Sequence, residues 1–250
     1  MFNGIRATGI FAALLLAGCT ADTSTSALQV DPEVAELANA KRVVLDDAEA
    51  DSLGAKDIIN RSKTHVRRTG EIYLMRGLAN VFSRGIDEMA RTLRQNGYDA
   101  ANFSYTEWKT IADDIIIRDR SGSVSKPVII VGHSLGGNES SKFANYLSQN
   151  TIEVALLVAF DPVETGQVGP GIAKVVNYYL PKSADNRILP AEGFTGILNN
   201  IDVTVDPEIT HVNVDKNAVF QAETFKEIAA LTSERKRQTR SVGRRPITER

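Results

Sequence analysis

The stretch from Pro127 to Gly137, PVIIVGHSLGG, constrains the fold of this 250-residue chain more than any other part of it. Its first half is a continuous run of apolar, mostly β-branched residues, which is typical of a strand buried on both faces in a parallel sheet. The residues that follow, from Asn138 to Leu147, place apolar side chains at helical spacing. The stretch therefore predicts a strand, a tight turn and a helix, and with them an α/β fold.

The tight turn carries the pattern Gly132-x-Ser134-x-Gly136. Between a buried strand and a helix, this pattern is the context of a nucleophile elbow, a strained turn that presents a serine hydroxyl beyond the sheet edge. Glycines are needed beside the serine because neighbouring chain passes too close for side chains. Ser134 is therefore predicted to be a nucleophile.

Strand and helix patterns alternate from Gly70 onwards. The further predicted strands are Glu71–Met75, Tyr98–Tyr105, Glu153–Phe160, Lys174–Tyr179 and Ile201–Val205, and the predicted helices are 83–97, 107–118, 138–149 and 215–231. This alternation requires right-handed crossovers. Residues 70–232 are thus expected to form one α/β domain, with a mostly parallel sheet covered by helices on both faces.

Composition disfavours two classes of function. A net charge of −2 and a pI of about 6.0 argue against a nucleic-acid-binding protein. Three histidines and one cysteine leave little material for a metal site, and one cysteine cannot form a disulfide within the chain. We expect neither a metal nor a cofactor.

The N-terminus has the layout of a secretory signal, with Arg6 before a short apolar segment from Ile10 to Ala17. Its ending, Leu-Ala-Gly-Cys19, resembles a bacterial lipobox, in which the cysteine is lipidated and becomes the new N-terminus. Residues 1–18 are therefore expected to be a lipoprotein signal peptide and Cys19 a membrane anchor. By resemblance to sorting signals, Thr20 in place of aspartate favours the outer over the inner membrane of a bacterial envelope.

Two flanking segments complete the predicted organisation. Residues 19–69 are expected to be a polar tether followed by a helical segment that begins at Asp31-Pro32. Residues 233–250 form a basic tail that is poor in large apolar side chains and is expected to be disordered. Contact of this tail with anionic lipid head groups or an envelope polymer is the alternative.

Partners for Ser134 should come from other strand ends, because reactive groups gather at the carboxyl edge of a parallel sheet. Asp161 ends the next predicted strand along the chain. His133 lies inside the turn and should point away from the serine, and His65 precedes the domain, which leaves His211 as the base. The competing acids are Asp185, Asp202 and Asp206.

The Gly-His-Ser-Leu-Gly-Gly turn and the chain order serine, aspartate, histidine resemble α/β-hydrolases, especially lipases, esterases and thioesterases. The resemblance covers about residues 70–232. The first two strands of that family are not evident before Gly70, which suggests a reduced α/β-hydrolase fold.

The oxyanion that forms in such chemistry needs preorganised donors. One candidate is the backbone N–H of Leu135, at the start of the helix after the turn. The other follows from the resemblance: Arg76-Gly77-Leu78 is similar to the His-Gly-x loop of lipases, with arginine in place of histidine, so the backbone N–H of Leu78 is implied.

These residues predict a serine hydrolase that cleaves a carboxylic ester or thioester of a small molecule or lipid through an acyl-enzyme. Segments 163–173 and 181–200 are expected to wall the acyl pocket. The alternative is a membrane-tethered, non-catalytic binding module that retains the fold, which Arg76 and the trimmed N-terminal half favour. Neither the precise substrate nor a protein partner follows from the sequence.

Overall fold

The computed structural model describes residues 54–61, 63–78, 83–181 and 185–235. The expected signal peptide, Cys19 and the helix start at Asp31 lie outside the described residues, as does most of the basic tail.

The described chain alternates strands and helices. The strands are β1 (Glu71–Arg76), β2 (Ala100–Ser104), β3 (Val128–His133), β4 (Val154–Phe160), β5 (Gly166–Val168), β6 (Lys174–Tyr179), β7 (Ile188–Pro190) and β8 (Ile197–Asp202). The helices are α1 (Ala55–Asn60), α2 (Arg84–Gln95), α3 (Trp108–Arg120), α4 (Leu135–Gln149) and α5 (Ala218–Leu231), with short 3₁₀ turns at Tyr105–Glu107 and Val214–Lys216.

Six of these strands form one sheet in the order β2-β1-β3-β4-β6-β8, and every neighbouring pair is parallel. The strand before the serine turn therefore lies at the centre, between β1 and β4. Register aligns the last residue of β3, His133, with the last residue of β4, Phe160. The residues that follow these two strands consequently emerge at the same edge. β5 and β7 form a separate two-stranded parallel sheet.

Helices cover both faces of the sheet. On one face, α2 and α5 contribute Ile86, Met89, Phe220 and Ile228 to a buried cluster with Ile72 and Val131. On the other, α1, α3 and α4 contribute Ile58, Ile111, Ile115 and Phe143 to a second cluster with Tyr73 and Ile130. The predicted fold class, α/β with a parallel sheet between two helical layers, is confirmed.

The last strand of the sheet was misplaced by the sequence pattern. It spans Ile197–Asp202 and not 201–205, because it pairs along its whole length with β6, from Lys174–Ile197 to Tyr179–Asp202. As an edge strand it is only half-buried, so its side chains do not form the apolar run that marks a central strand.

Two helix starts also differ from prediction. The helix after the serine turn begins at Leu135, three residues earlier than predicted. The closing helix begins at Ala218 and not at Asp215, because the Asn217 side chain accepts hydrogen bonds from the backbone N–H of Val219 and Phe220 and so caps the helix there.

The packed region extends beyond the expected limits of 70 and 232. The backbone N–H of Ala55, at the start of α1, donates to the carboxylate of Glu107 at 2.9 Å. Arg68 forms an antiparallel bridge with Glu234. Residues 54–61, 63–69 and 233–235 therefore belong to the same folded unit as the sheet, because Ile58 of α1 enters the core and polar and backbone contacts attach the rest.

No helix among the described residues is long and apolar enough to cross a membrane.

Candidate active site

Ser134 occupies the sharp turn between β3 and α4 and has a positive φ of 59° with ψ of −124°. A Cβ atom at Gly132 would lie 2.2 Å from the carbonyl oxygen of Gly136, and one at Gly136 would lie 2.4 Å from that of Met75. These distances are too short for any side chain. The predicted strained turn with obligatory glycines is therefore present.

Three predicted residues meet at this edge of the sheet. The Ser134 hydroxyl lies 2.9 Å from Nε2 of His211, and Nδ1 of His211 lies 2.5 Å from Oδ2 of Asp161. Ser134 follows β3, Asp161 follows β4, and His211 lies on the loop between β8 and α5. The structure thus brings together the serine, the acid and the histidine that the sequence singled out.

The competing acids lie in other contacts. Asp185 forms an exposed ion pair with Arg187, Asp202 accepts from Thr204, and Asp206 accepts from the backbone N–H of Glu208. Asp161 is buried and has its second carboxylate oxygen occupied by the backbone N–H of Leu180 and the side-chain amide of Asn186.

This arrangement fixes the working tautomer of His211. Since a carboxylate only accepts hydrogen bonds, Nδ1 of His211 donates its proton to Asp161. The lone pair on Nε2 is then directed at the Ser134 hydroxyl, which is the orientation a general base requires.

Asn186 is a site residue that the sequence did not reveal. It is buried and donates to Asp161, to the carbonyl of Pro162 and to that of Leu180. It therefore holds the acid in place from the loop before β7. An asparagine in an irregular segment carries no sequence signal that distinguishes this role from that of an ordinary loop residue.

The two proposed oxyanion donors flank Ser134. Among the described residues, neither the backbone N–H of Leu135 nor that of Leu78 has a hydrogen-bond partner, whereas the N–H of Gly77 donates to the Ser83 hydroxyl at 2.9 Å. A Cβ at Gly77 would lie 2.7 Å from the Cβ of Ser134, so this loop passes directly against the serine.

The side chain of Arg76, the residue in place of the lipase histidine, pairs with an acid of α2. It is buried, and its Nε lies 2.5 Å from Oδ1 of Asp87 in α2. Asp87 also accepts from the amide of Asn102 in β2. Arg76 therefore ties β1 to α2 behind the loop.

A cavity of about 400 Å³ opens beside the serine. Its lining residues are Leu78, Ser83, Ser134, Leu135, Val163, His211 and Val212. Val163 comes from a segment that was expected to wall the pocket. No described residue of 181–200 is among the lining residues, and the loop after β8 contributes His211 and Val212 instead.

His133 is buried beneath the serine turn, and its ring faces away from the Ser134 hydroxyl, as predicted. Its Nδ1 lies 2.8 Å from the Ser83 hydroxyl and its Nε2 lies 2.8 Å from the backbone carbonyl of His211. Burial lowers the pKa of His133 to about 4. The ring is therefore neutral at physiological pH. His65 is exposed, as expected of a surface residue.

Asp215 lies behind His133, with Oδ2 3.8 Å from Nδ1 of the ring. Burial raises the pKa of Asp215 to about 7, and Oδ2 accepts from the backbone N–H of Ile86. Within the described part of the chain there is no group of three side chains arranged to hold a metal ion.

No family model matches the chain, and no curated protein matches it. Solved structures similar to it include a protein described as an α/β superfamily hydrolase from Xanthomonas campestris pv. campestris, at 12% identity and a TM-score of 0.36 over 63% of this chain and 98% of that one. The NocB thioesterase domain from the nocardicin cluster aligns at 11% identity and a TM-score of 0.35, over 65% of this chain and 93% of that one. Est1E from Butyrivibrio proteoclasticus aligns at 11% identity and a TM-score of 0.37, over 64% of this chain and 89% of that one.

Proposed function

We propose that the protein is a serine hydrolase that cleaves a carboxylic ester or thioester through an acyl-enzyme. The observation that carries this proposal is the series of hydrogen bonds from Ser134 through His211 to Asp161, beside a mostly apolar cavity that Ser134 and His211 line. A serine hydroxyl is a weak nucleophile until a positioned base takes its proton, and this series supplies the base and its orienting acid.

In the first half-reaction, Nε2 of His211 takes the proton of the Ser134 hydroxyl as the oxygen attacks the acyl carbon. The carbonyl oxygen becomes an oxyanion that the backbone N–H groups of Leu135 and Leu78 can meet, each worth roughly 3–4 kcal/mol of barrier. The imidazolium then donates the proton to the leaving alcohol or thiol, and the acyl group stays on Ser134.

In the second half-reaction, water attacks the acyl-enzyme. His211 takes a proton from this water and later returns it to the Ser134 oxygen, releasing a carboxylic acid. Asp161 stabilises the imidazolium in both halves and keeps its tautomer fixed.

The cavity lining supports an apolar acyl group. Four of its members are the aliphatic side chains of Leu78, Leu135, Val163 and Val212. Burial of a methylene group contributes about 0.8 kcal/mol, so such a lining binds an acyl chain and offers little to a charged one.

The decisive variant is Ser134→Ala. In the full chain it should abolish hydrolysis of short aryl esters and acyl-thioesters while the circular dichroism spectrum and melting temperature stay close to wild type. A fluorophosphonate probe should label the wild type and not Ser134→Ala. A wild-type protein inert to both substrates and probe would instead favour the non-catalytic binding module.

From the sequence we also propose that the chain is anchored in a bacterial envelope through lipidated Cys19, preferentially in the outer membrane. The test is Cys19→Ser, which should move the protein from the membrane fraction to the soluble fraction and remove palmitate labelling. Equal membrane association of the variant would contradict the anchor.

A further inference from the structure

A buried chain of hydrogen bonds connects the two loops on either side of Ser134. It runs from the backbone N–H of Gly77 to the Ser83 hydroxyl at 2.9 Å, from Ser83 to Nδ1 of His133 at 2.8 Å, and from Nε2 of His133 to the carbonyl of His211 at 2.8 Å. We call this series of three hydrogen bonds the His133 bridge. The catalytic steps above do not use any of its side chains directly.

The direction of every proton in the bridge can be assigned. The carbonyl of His211 can only accept, so Nε2 of His133 carries a proton. A neutral ring then has a lone pair on Nδ1, which must accept from the Ser83 hydroxyl. That hydroxyl has its own lone pairs available for the Gly77 N–H, so all three bonds are satisfied together.

The two ends of the bridge lie next to the oxyanion donor and the base, whose relative position matters for the proposed reaction. Gly77 immediately precedes Leu78, whose N–H is the second proposed oxyanion donor. His211 is the proposed base, and the bridge ends on the backbone carbonyl of His211 itself. Ser83 and His133 are both almost fully buried, so these bonds are protected from competition by water.

The groups around the His133 ring are compatible with a neutral, donor–acceptor role. Asp215 from the 3₁₀ turn before α5 and the His211 ring, 5.1 Å away between centroids, face it. The charges of Asp161 and Lys216 also act on it electrostatically. Ser83 is the direct partner of Nδ1, while Asp215 remains 3.8 Å from that atom.

We propose that His133 and Ser83 are positioning residues, which lock the loop of the oxyanion donor Leu78 to the loop of the base His211. This inference rests on the proposed function for its catalytic consequence, while the bridge itself has readouts that do not need turnover. Breaking the bridge should impair the transition state more than ground-state binding, since Ser83→Ala and His133→Gln leave the four aliphatic side chains of the cavity lining unchanged.

The first experiment compares Ser83→Ala with Ser141→Ala. Ser141 is an equally buried serine, in α4, whose hydroxyl has no hydrogen-bond partner among the described residues. Loss of one well-placed oxyanion donor costs about 10²–10³ in kcat, and a displaced donor less. We therefore expect Ser83→Ala to lower kcat by about 10- to 100-fold with KM changed by less than about threefold, and Ser141→Ala to change neither appreciably.

The second experiment observes the ring nitrogens by ¹⁵N-edited NMR, which is simple in a chain with three histidines. We expect His133 to be neutral with its proton on Nε2 at pH 6 to 8. We also expect the low-field Nδ1 proton of His211 to shift or broaden in Ser83→Ala and in His133→Gln, but not in Ser141→Ala. His133→Gln serves as the second variant should Ser83→Ala fail to fold.

These outcomes separate the two proposals. Activity in the wild type with Ser83→Ala indistinguishable from Ser141→Ala would overturn the positioning role and leave the hydrolase intact. A proton on Nδ1 of His133, or an unchanged His211 resonance in both bridge variants, would also overturn it. An inactive wild type would contradict the proposed hydrolase, and the NMR measurements would still decide the bridge.

Discussion

Ser134 is positioned by backbone that approaches it from another strand. Gly77, directly after β1, lies so close that a Cβ there would be 2.7 Å from the Ser134 Cβ and 3.1 Å from the His133 carbonyl oxygen. A contact this short cannot be absorbed by a rotamer change, because the neighbouring atoms belong to the backbone and the nucleophile itself. The loop that carries Leu78 is therefore fixed relative to the serine by steric exclusion as well as by hydrogen bonds.

Gly77→Ala should accordingly displace this loop. We expect a loss of at least about 100-fold in kcat/KM, because the added methyl group increases the distance between the Leu78 N–H donor and the serine. The matched control is Gly169→Ala, where a Cβ would meet its nearest atom at 3.6 Å, an ordinary contact. Esterase kinetics on both variants check this, and near-wild-type activity of Gly77→Ala would contradict the steric argument.

Asp161 is the second residue whose role can be tested by a near-isosteric change. Asp161→Asn presents an amide that can donate to Nδ1 of His211 and so favours the wrong tautomer, which in serine proteases lowers kcat by about 10⁴. We expect a loss of about 10³–10⁴. Asp185→Asn is the control, because Asp185 is exposed and its ion pair is with nearby Arg187. Equal activity of these two variants would remove Asp161 from the mechanism.

At the scale of elements, the segment before β1 neutralises carboxylates that the sheet buries. Arg61 and Lys63 form ion pairs with Asp99, which precedes β2, and Lys63 also pairs with Glu71. Glu71 is fully buried; although burial acts to raise its pKa, hydrogen bonds from Arg118 and Tyr73 hold it at about 2. Arg61 and Lys63 thus contribute to the stability of the buried sheet, in addition to lying on the segment that leads into it.

Arg61→Ala should therefore destabilise the fold. Among the described residues it leaves the buried Asp99 carboxylate with Lys63 as its ionic partner, and we expect the free energy of unfolding to fall by about 1–3 kcal/mol. Lys142→Ala, which breaks an exposed pair with Glu139, should cost less than about 0.5 kcal/mol. Urea denaturation of the two variants measures the difference, and equal midpoints would contradict a structural role for Arg61.

At the scale of the whole molecule, buried titratable groups make stability depend on pH in opposing directions. Burial raises the pKa of Asp215 to about 7 and that of Asp87 to about 6, so the folded state holds these protons more tightly than the unfolded chain does. Their contribution to stability is greatest below about pH 4 and is lost as pH rises towards 7. His133, with its pKa lowered to about 4, acts in the opposite sense and favours folding as pH rises from 4 to 6.5.

Asp215→Asn removes one of the titratable groups that make the folding stability depend on pH. The stability of the variant relative to wild type should improve between pH 4 and pH 8, by up to about 4 kcal/mol, since each pKa unit corresponds to about 1.4 kcal/mol. Asp206→Asn, in an exposed loop, should follow the wild-type pH dependence. Denaturation curves at both pH values test this, and a constant difference between Asp215→Asn and wild type would contradict the raised pKa.

The sequence by itself determined the elements whose pattern is local. The apolar run before Gly132 and the helical spacing after Ser134 predicted β3, the serine turn and α4. A strand buried on both faces is a continuous apolar run, and an amphipathic helix repeats its apolar residues every three to four positions, so both patterns are visible in the local sequence. The limited number of histidines reduced the choice of base to His211 by elimination.

Only the tertiary structure decided what depends on contacts between distant segments. Asp161, and not Asp185, Asp202 or Asp206, lies beside His211 because β4 is next to β3 in the sheet. The local spacing of apolar residues does not encode that strand order. The position of β8 depended on its pairing with β6. Asn186 and Ser83 became site residues because their segments fold onto Asp161 and His133, and a single polar side chain in a connecting segment carries no sequence signal of the partner it will meet.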